Sequence, residues 1–177
     1  KVASIQAARM QVYFIDNEDY FHRKSVFHDK DENFFEDNDE RAIFFCKGVL
    51  ETVKKLGWAP DIVHCNDWMT SLIPLYIKTT YKNDPLFMNT KSVFTIYDNE
   101  FSYKFKGDLL DKVKMLDVED DNLTNLQSLD YKGFISLGME YSDAVIKSKE
   151  ELGSSLEKLF KDIEQIKRTV TTRKSEY

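Results

Sequence analysis

Pro60-Asp61-Ile62-Val63-His64-Cys65-Asn66-Asp67-Trp68 is the stretch on which the fold turns. Residues 61–65 form a short run centred on Ile62, Val63 and Cys65, with proline before it and polar residues after it. That pattern predicts a buried strand. Asn66 or Asp67 then offers a side-chain oxygen to cap a helix running through Trp68, Leu72, Leu75 and Tyr76. Pro74 lacks a backbone donor and is expected to kink that helix.

Upstream, Ala42, Phe45, Cys46, Val49, Val53 and Leu56 recur at three- and four-residue steps. They predict a helix over 40–56 with one buried face, stopped by Gly57 and followed by Pro60. Residues 2–7 and 10–16 read as two strands around a short Ala-Arg break, in the manner of a hairpin. Residues 17–39 are polar and ring-containing without apolar periodicity, which predicts a long surface loop. His22, Arg23 and His28 are read as solvated loop residues, with Arg23 able to bind an anion.

Downstream, 91–96 and 144–146 are further short apolar strands. A helix is expected over 131–141, and 97–124 reads as irregular with a short helix near Leu109. Leu152, Leu156, Leu159, Phe160, Ile163 and Ile166 share one helical face, predicting a last helix to Arg168. Strands alternating with helices imply an α/β fold: a Rossmann-like, mainly parallel sheet with helices on both faces. One domain is expected over 1–168, with 169–177 a frayed tail. Such sheets bind ligands beyond the carboxyl ends of their strands, here at 64–68 and 97–100.

Composition excludes several classes. The formal charge is −6, and no basic run is interleaved with aromatics, which argues against nucleic acid as a partner. No apolar stretch is long enough to span a bilayer. Cys46 and Cys65 are too few to imply a disulfide framework. His22, His28 and His64 lack the spacing of a zinc site, so neither a metal nor a cofactor is expected.

An ordered set of motifs resembles one family, the bacterial glycogen synthases and plant starch synthases. Val12-Tyr13-Phe14-Ile15-Asp16-Asn17 with Tyr20, Phe21 and Arg23 looks like a strand and loop of that family. Asp37-Asn38 and Glu40-Arg41, with Phe44 and Phe45, resemble the start of its next helix. The stretch 60–68, continued by Leu72, Pro74 and Tyr76, is similar to its Pro-Asp-Val-Ile-His-x-His-Asp-Trp motif. Val93-Phe94-Thr95-Ile96 resembles the following strand, and Phe134, Gly138, Tyr141 and Asp143-Ala144-Val145 a later helix and strand.

The resemblance implies the N-terminal half of a GT-B glycosyltransferase, cytoplasmic, whose C-terminal domain holds most of the donor. The implied reaction moves glucose from ADP-glucose to an α-1,4-glucan with retention of configuration. Asp67 and Tyr97 then fall at catalytic positions, and His64, Asn66, Trp68 and Asp98 at substrate-binding ones. There are departures. Asn66 replaces the second His of the motif, Tyr97 an active-site His, and Ser136 a Lys. The family's Lys-x-Gly-Gly loop is not found in the chain. Losing an imidazole matters, because a phenol does not titrate near pH 7. These departures leave open an alternative, a degenerate module that holds glucan or a partner without turnover.

Each position also has a purely structural reading. Asp67 is a good helix cap. Trp68 is a packing residue or a platform for a sugar face. His64 is a satisfied strand-end histidine, and Tyr97 and Asp98 are turn residues.

Overall fold

The computed structural model describes residues 2–5, 10–114 and 118–169. The chain opens on an antiparallel hairpin of β1 (Val2–Ile5) and β2 (Met10–Tyr13), with Val2 opposite Tyr13. A short α1 (Glu18–Phe21) and a loop lead to α2 (Asn38–Leu56). Then come β3 (Ile62–Asn66), α3 (Leu72–Lys78), β4 (Lys91–Ile96), α4 (Leu109–Lys114), α5 (Tyr131–Glu140), β5 (Ala144–Lys147), α6 (Ser154–Asp162) and β6 (Ile166–Thr169). Single 3-10 segments occupy Trp68–Thr70 and Asp120–Ser128.

The three expected strands form one parallel sheet, in the order β3-β4-β5-β6. Its register places Cys65, Phe94 and Val145 side by side, and all three are buried. The helices pack against this face. α5 comes so close that a Cβ on Gly138 would lie 2.8 Å from Phe94 Cζ. α6 lies on the same side, with Lys147 Nζ 5.4 Å from the Phe160 ring centre. α2 contributes Ala42, Cys46 and Leu50 at helical spacing, and the Cys46 thiol contacts the Met69 carbonyl at 3.2 Å.

The α/β class and the parallel sheet are as expected, but the covering is one-sided among the described residues. Helices on both faces were expected. The opposite face instead carries Ile62 and Ile166, 63% and 59% exposed. The strand order explains this. With the crossover hand that parallel strands almost always adopt, strands laid down in sequence order keep their connections on one side.

Two local expectations also change. The apolar row 152–166 does not make one helix: α6 stops at Asp162, Ile163 is extended, and Ile166–Thr169 pairs with the edge of β5. An open strand edge offers unpaired backbone groups, and pairing with them overrides helical periodicity. Residues 170–177, expected to fray, lie outside the described residues. Pro74 does not kink its helix. α3 begins at Leu72, so Pro74 sits in the first turn, where its missing donor would have had no partner.

The loop over 17–39 is well tied down. Arg23 donates to both carboxylate oxygens of Asp37, at 2.8 and 2.5 Å, so the guanidinium expected to be solvated or to bind an external anion is already paired. Asn38 Nδ2 donates to Phe27 O at 2.9 Å, and Arg41 to Val26 O at 2.6 Å. The hydrogen bond from Arg23 holds the Asp37 carboxyl below its ordinary range. A depressed carboxylate stabilises the fold above the unfolded-state value of about 4, and that contribution is lost as pH falls through the folded value. Asp37→Asn is therefore expected to lower the melting temperature at pH 7 and to narrow its gap from the parent below pH ~4. A constant gap across a pH series of melts would contradict this.

Candidate functional site

Backbone pairing continues one bond past Asn66, the last residue of β3. Asp67 N–H donates to Thr95 O at 3.0 Å. There the backbone turns sharply: Asp67 has φ 62° and ψ 178°. This combination is essentially a glycine conformation, and a residue with a side chain held there costs about 1–3 kcal/mol. Local bonds offset the strain. Asp67 Oδ1 accepts from Trp68 N–H at 2.9 Å, and Asp67 O accepts from Thr70 N–H at 3.1 Å and from the Thr70 hydroxyl at 3.0 Å. The capping role expected of Asp67 is thus present, in a 3-10 turn.

The carboxylate also reaches other elements. Oδ2 accepts from Asn99 Nδ2 at 2.7 Å, just beyond β4. The Tyr131 hydroxyl, on the first residue of α5, lies 3.1 Å from Oδ1 and donates to Tyr97 O at 2.6 Å. Burial, followed by the adjacent Asp67 charge, pushes the Tyr131 phenol far above its ordinary value, so it stays a neutral donor. Asp67 is half-buried. Two carboxylate oxygens provide about four acceptor positions, which leaves capacity for a ligand hydroxyl.

The other candidates divide. Tyr97 Oη meets Asn66 Oδ1 at 3.3 Å, with both side chains exposed, so these two share the rim near Asp67. Asp98 instead faces the turn after β5: Oδ2 accepts from Lys149 Nζ at 2.7 Å and Oδ1 from Gly153 N–H at 3.3 Å. The bond from Lys149 lowers the Asp98 carboxyl below its ordinary range. His64 is exposed on the open sheet face, where Nε2 meets Thr95 Oγ1 at 2.7 Å. Trp68 is 1% exposed and is surrounded by Phe27, Phe34, Phe101, Phe105 and Phe134 at 5.1–6.2 Å between ring centres. It is a core residue of the aromatic cluster, which favours the packing reading over sugar stacking.

The sequence left Asn99, Tyr131 and Lys149 unremarked. Asn99 follows the suspected Tyr97-Asp98 turn and was within reach of that reading. Tyr131 gave no local sign, because its partner Asp67 is 64 residues away. A cleft of about 560 Å³ opens between Phe27, His28 and Phe34 on one side and Asn99–Ser102 on the other, with Trp68 also in its lining and Asn99 bonded to Asp67. Among the described residues no cluster of His, Cys, Asp and Glu is arranged to hold a metal, and no helix is long and apolar enough to cross a membrane. Cys46 and Cys65 are buried, and burial pushes the Cys65 thiol up to about 12, so neither is an accessible nucleophile.

Comparison with known proteins supplies a family. Residues 1–155 match the family model described as starch synthase catalytic domain. The glycogen synthase of Desulforudis audaxviator is 37% identical over 148 residues, covering 81% of this chain and 28% of that protein. The glycogen synthase of Clostridium perfringens is 36% identical over 138 residues, covering 78% and 27% respectively. That of Chlorobium luteolum is 46% identical over 99 residues, covering 55% and 20%. The chain thus spans between a fifth and under a third of the length of these relatives.

Proposed function

Because this chain belongs to the family of starch synthase catalytic domains, we propose that it serves glucosyl transfer from ADP-glucose to the nonreducing end of an α-1,4-glucan. In this reading its sheet is the N-terminal half of a GT-B pair working in the cytoplasm, and the Asp67 edge forms one wall of the cleft. The observation carrying the proposal is the strained Asp67 carboxylate, held at the carboxyl edge of a parallel sheet by donors from three elements.

On this wall Asp67 accepts hydrogen bonds from sugar hydroxyls and fixes their orientation. The exposed Asn66 amide and Tyr97 phenol add neutral hydrogen-bonding groups beside it. His64 and Asp98 line the approach from the sheet face and from the turn after β5. The chemistry asked of these residues is positioning, which lowers the barrier by holding reactants in register. A glucan-holding module without turnover is the less favoured alternative, since the similarity runs through a catalytic domain.

Two substitutions test the role of Asp67. Asp67→Asn keeps an effective cap and a side chain that tolerates positive φ, so the melting temperature is expected to stay near the parent's. It loses the charge, and maltohexaose binding should weaken by about 1.5–3 kcal/mol per lost charge-assisted bond. Asp67→Ala additionally loses the cap, at about 1 kcal/mol of stability. Thermal melts and binding isotherms on both variants separate the roles. If the Asn variant binds maltohexaose like the parent, Asp67 is only a cap and the site assignment fails.

A further inference from the structure

We propose that Tyr131 is a positioning residue for Asp67: its hydroxyl bridges the ends of β3 and β4 and keeps the carboxylate in its left-handed backbone setting. The proposal deepens the reading of Asp67 as a sugar-facing group and rests on that reading for its functional meaning. It goes beyond capping, because the tie comes from α5 and not from the turn itself.

Three observations converge. First, the last backbone bond between the two strand ends is Asp67 N–H to Thr95 O at 3.0 Å, and past it they are linked by exposed side chains, Tyr97 to Asn66 and Asn99 to Asp67. Beyond that point the chains diverge, β3 into the 3-10 turn and β4 into the segment 97–105. Tyr131 spans the gap, with its oxygen 2.6 Å from Tyr97 O and 3.1 Å from Asp67 Oδ1. Second, the phenol has a single proton and two acceptors. The hydroxyl lies within donor distance of both, Tyr97 O at 2.6 Å and Asp67 Oδ1 at 3.1 Å, so its one proton is shared between them and ties both to α5. Third, the platform is rigid. Tyr131 is 1% exposed, packs edge-on against Phe101 at 5.3 Å, and begins a helix capped by Asp130, whose carboxylate accepts from Gly133 N–H at 3.1 Å. A group that orients a functional side chain is effective when its own rotamer is fixed by packing in this way.

Asn99 is the complementary donor. It holds Oδ2 at 2.7 Å from an exposed segment, whereas Tyr131 works from the buried side. A sugar hydroxyl displacing Asn99 would still meet a carboxylate held in place by Tyr131 and by Trp68 N–H. Positioning of this kind predicts that Tyr131 acts through Asp67 and has no further effect once the carboxylate is gone.

Amide hydrogen exchange by NMR on four proteins tests this: the parent, Tyr131→Phe, Asp67→Gly and the double variant. Tyr131→Phe keeps the ring and removes only the hydroxyl. The Trp68 amide, bonded to Asp67 Oδ1, is expected to lose protection roughly tenfold in Tyr131→Phe, while the Phe94 and Val145 ladder amides hold. In the glycine background, with no carboxylate and no backbone strain, Tyr131→Phe should change exchange at Trp68 no further. Unchanged Trp68 protection in Tyr131→Phe overturns the proposal. So does an equal loss at the ladder amides, which would make Tyr131 a general packing residue, and so do additive effects in the double variant. Maltohexaose titrations of the same proteins separate this from the sugar reading. Local deprotection with unchanged binding keeps Tyr131 as the positioning residue and removes Asp67 from the sugar site.

Discussion

Incubated with radiolabelled ADP-glucose and glycogen, the purified chain is expected to add no label above a buffer blank. Transfer requires donor and acceptor to be held together, and such positioning is worth an effective molarity of roughly 10⁵–10⁸ M, or about 7–11 kcal/mol of barrier. In the proposed reading the Asp67 edge supplies one wall, with neutral and acidic groups. A departing diphosphate needs fixed positive charge. The lysines described at this edge are already paired, Lys149 with Asp98 at 2.7 Å and Lys132 with Glu100 at 3.4 Å. Recruiting either one would break an existing ion pair and leave a carboxylate facing the leaving group. Label incorporated in proportion to chain concentration would refute this expectation, and would mean that one wall suffices.

Trp68→Ala should be among the most destabilising substitutions in the molecule. Removing a large buried ring costs about 3–5 kcal/mol, a large part of the roughly 5–15 kcal/mol that holds a typical domain. For a chain of this size that corresponds to a melting temperature lower by about 6–20 °C. The indole is the hub of the aromatic cluster, with Phe27 and Phe34 from the loop before α2, Phe101 and Phe105 from the segment after β4, and Phe134 from α5. Its loss would loosen the loops that frame the Asp67 edge, so glucan binding should fall together with stability. A sugar-stacking tryptophan behaves differently, since its removal weakens binding and leaves the melt unchanged. Urea or thermal unfolding distinguishes the two, and a melt within about 2 °C of the parent would restore the stacking role.

Much of the turn around Asp67 was legible because its motif is local. The run 60–68 carries strand, turn and cap within nine residues, and the side-chain oxygen of Asp67 does bond the next amide. Tyr97 and Asn66 could be paired from the rule that ligands sit at strand carboxyl ends, and their side chains meet at 3.3 Å. Asp98 and Trp68 have partners that linear spacing does not show. Asp98 is tied by an ion pair to Lys149, a residue on a different strand end. Trp68 reads from the sequence as a packing residue or a sugar platform, and the rings that bury it come largely from loops whose course no periodicity reveals.

By itself the sequence determined the order and kind of the central elements. The apolar runs that became β3, β4 and β5, the helical spacing of Ala42, Cys46 and Leu50, and the stop at Gly57, which adopts φ 64°, are all set by neighbours within a few residues. Period, capping and turn preferences act over that range, so they can be read along the chain. Only the tertiary structure decided that the helices share one face, that the last apolar row splits into α6 and β6, and that Tyr131 sits over Asp67. These outcomes depend on which strand edge remains open and which side chains meet across 64 residues of separation. Backbone pairing and close packing at such distances are won by contact in space, and linear spacing carries no record of them.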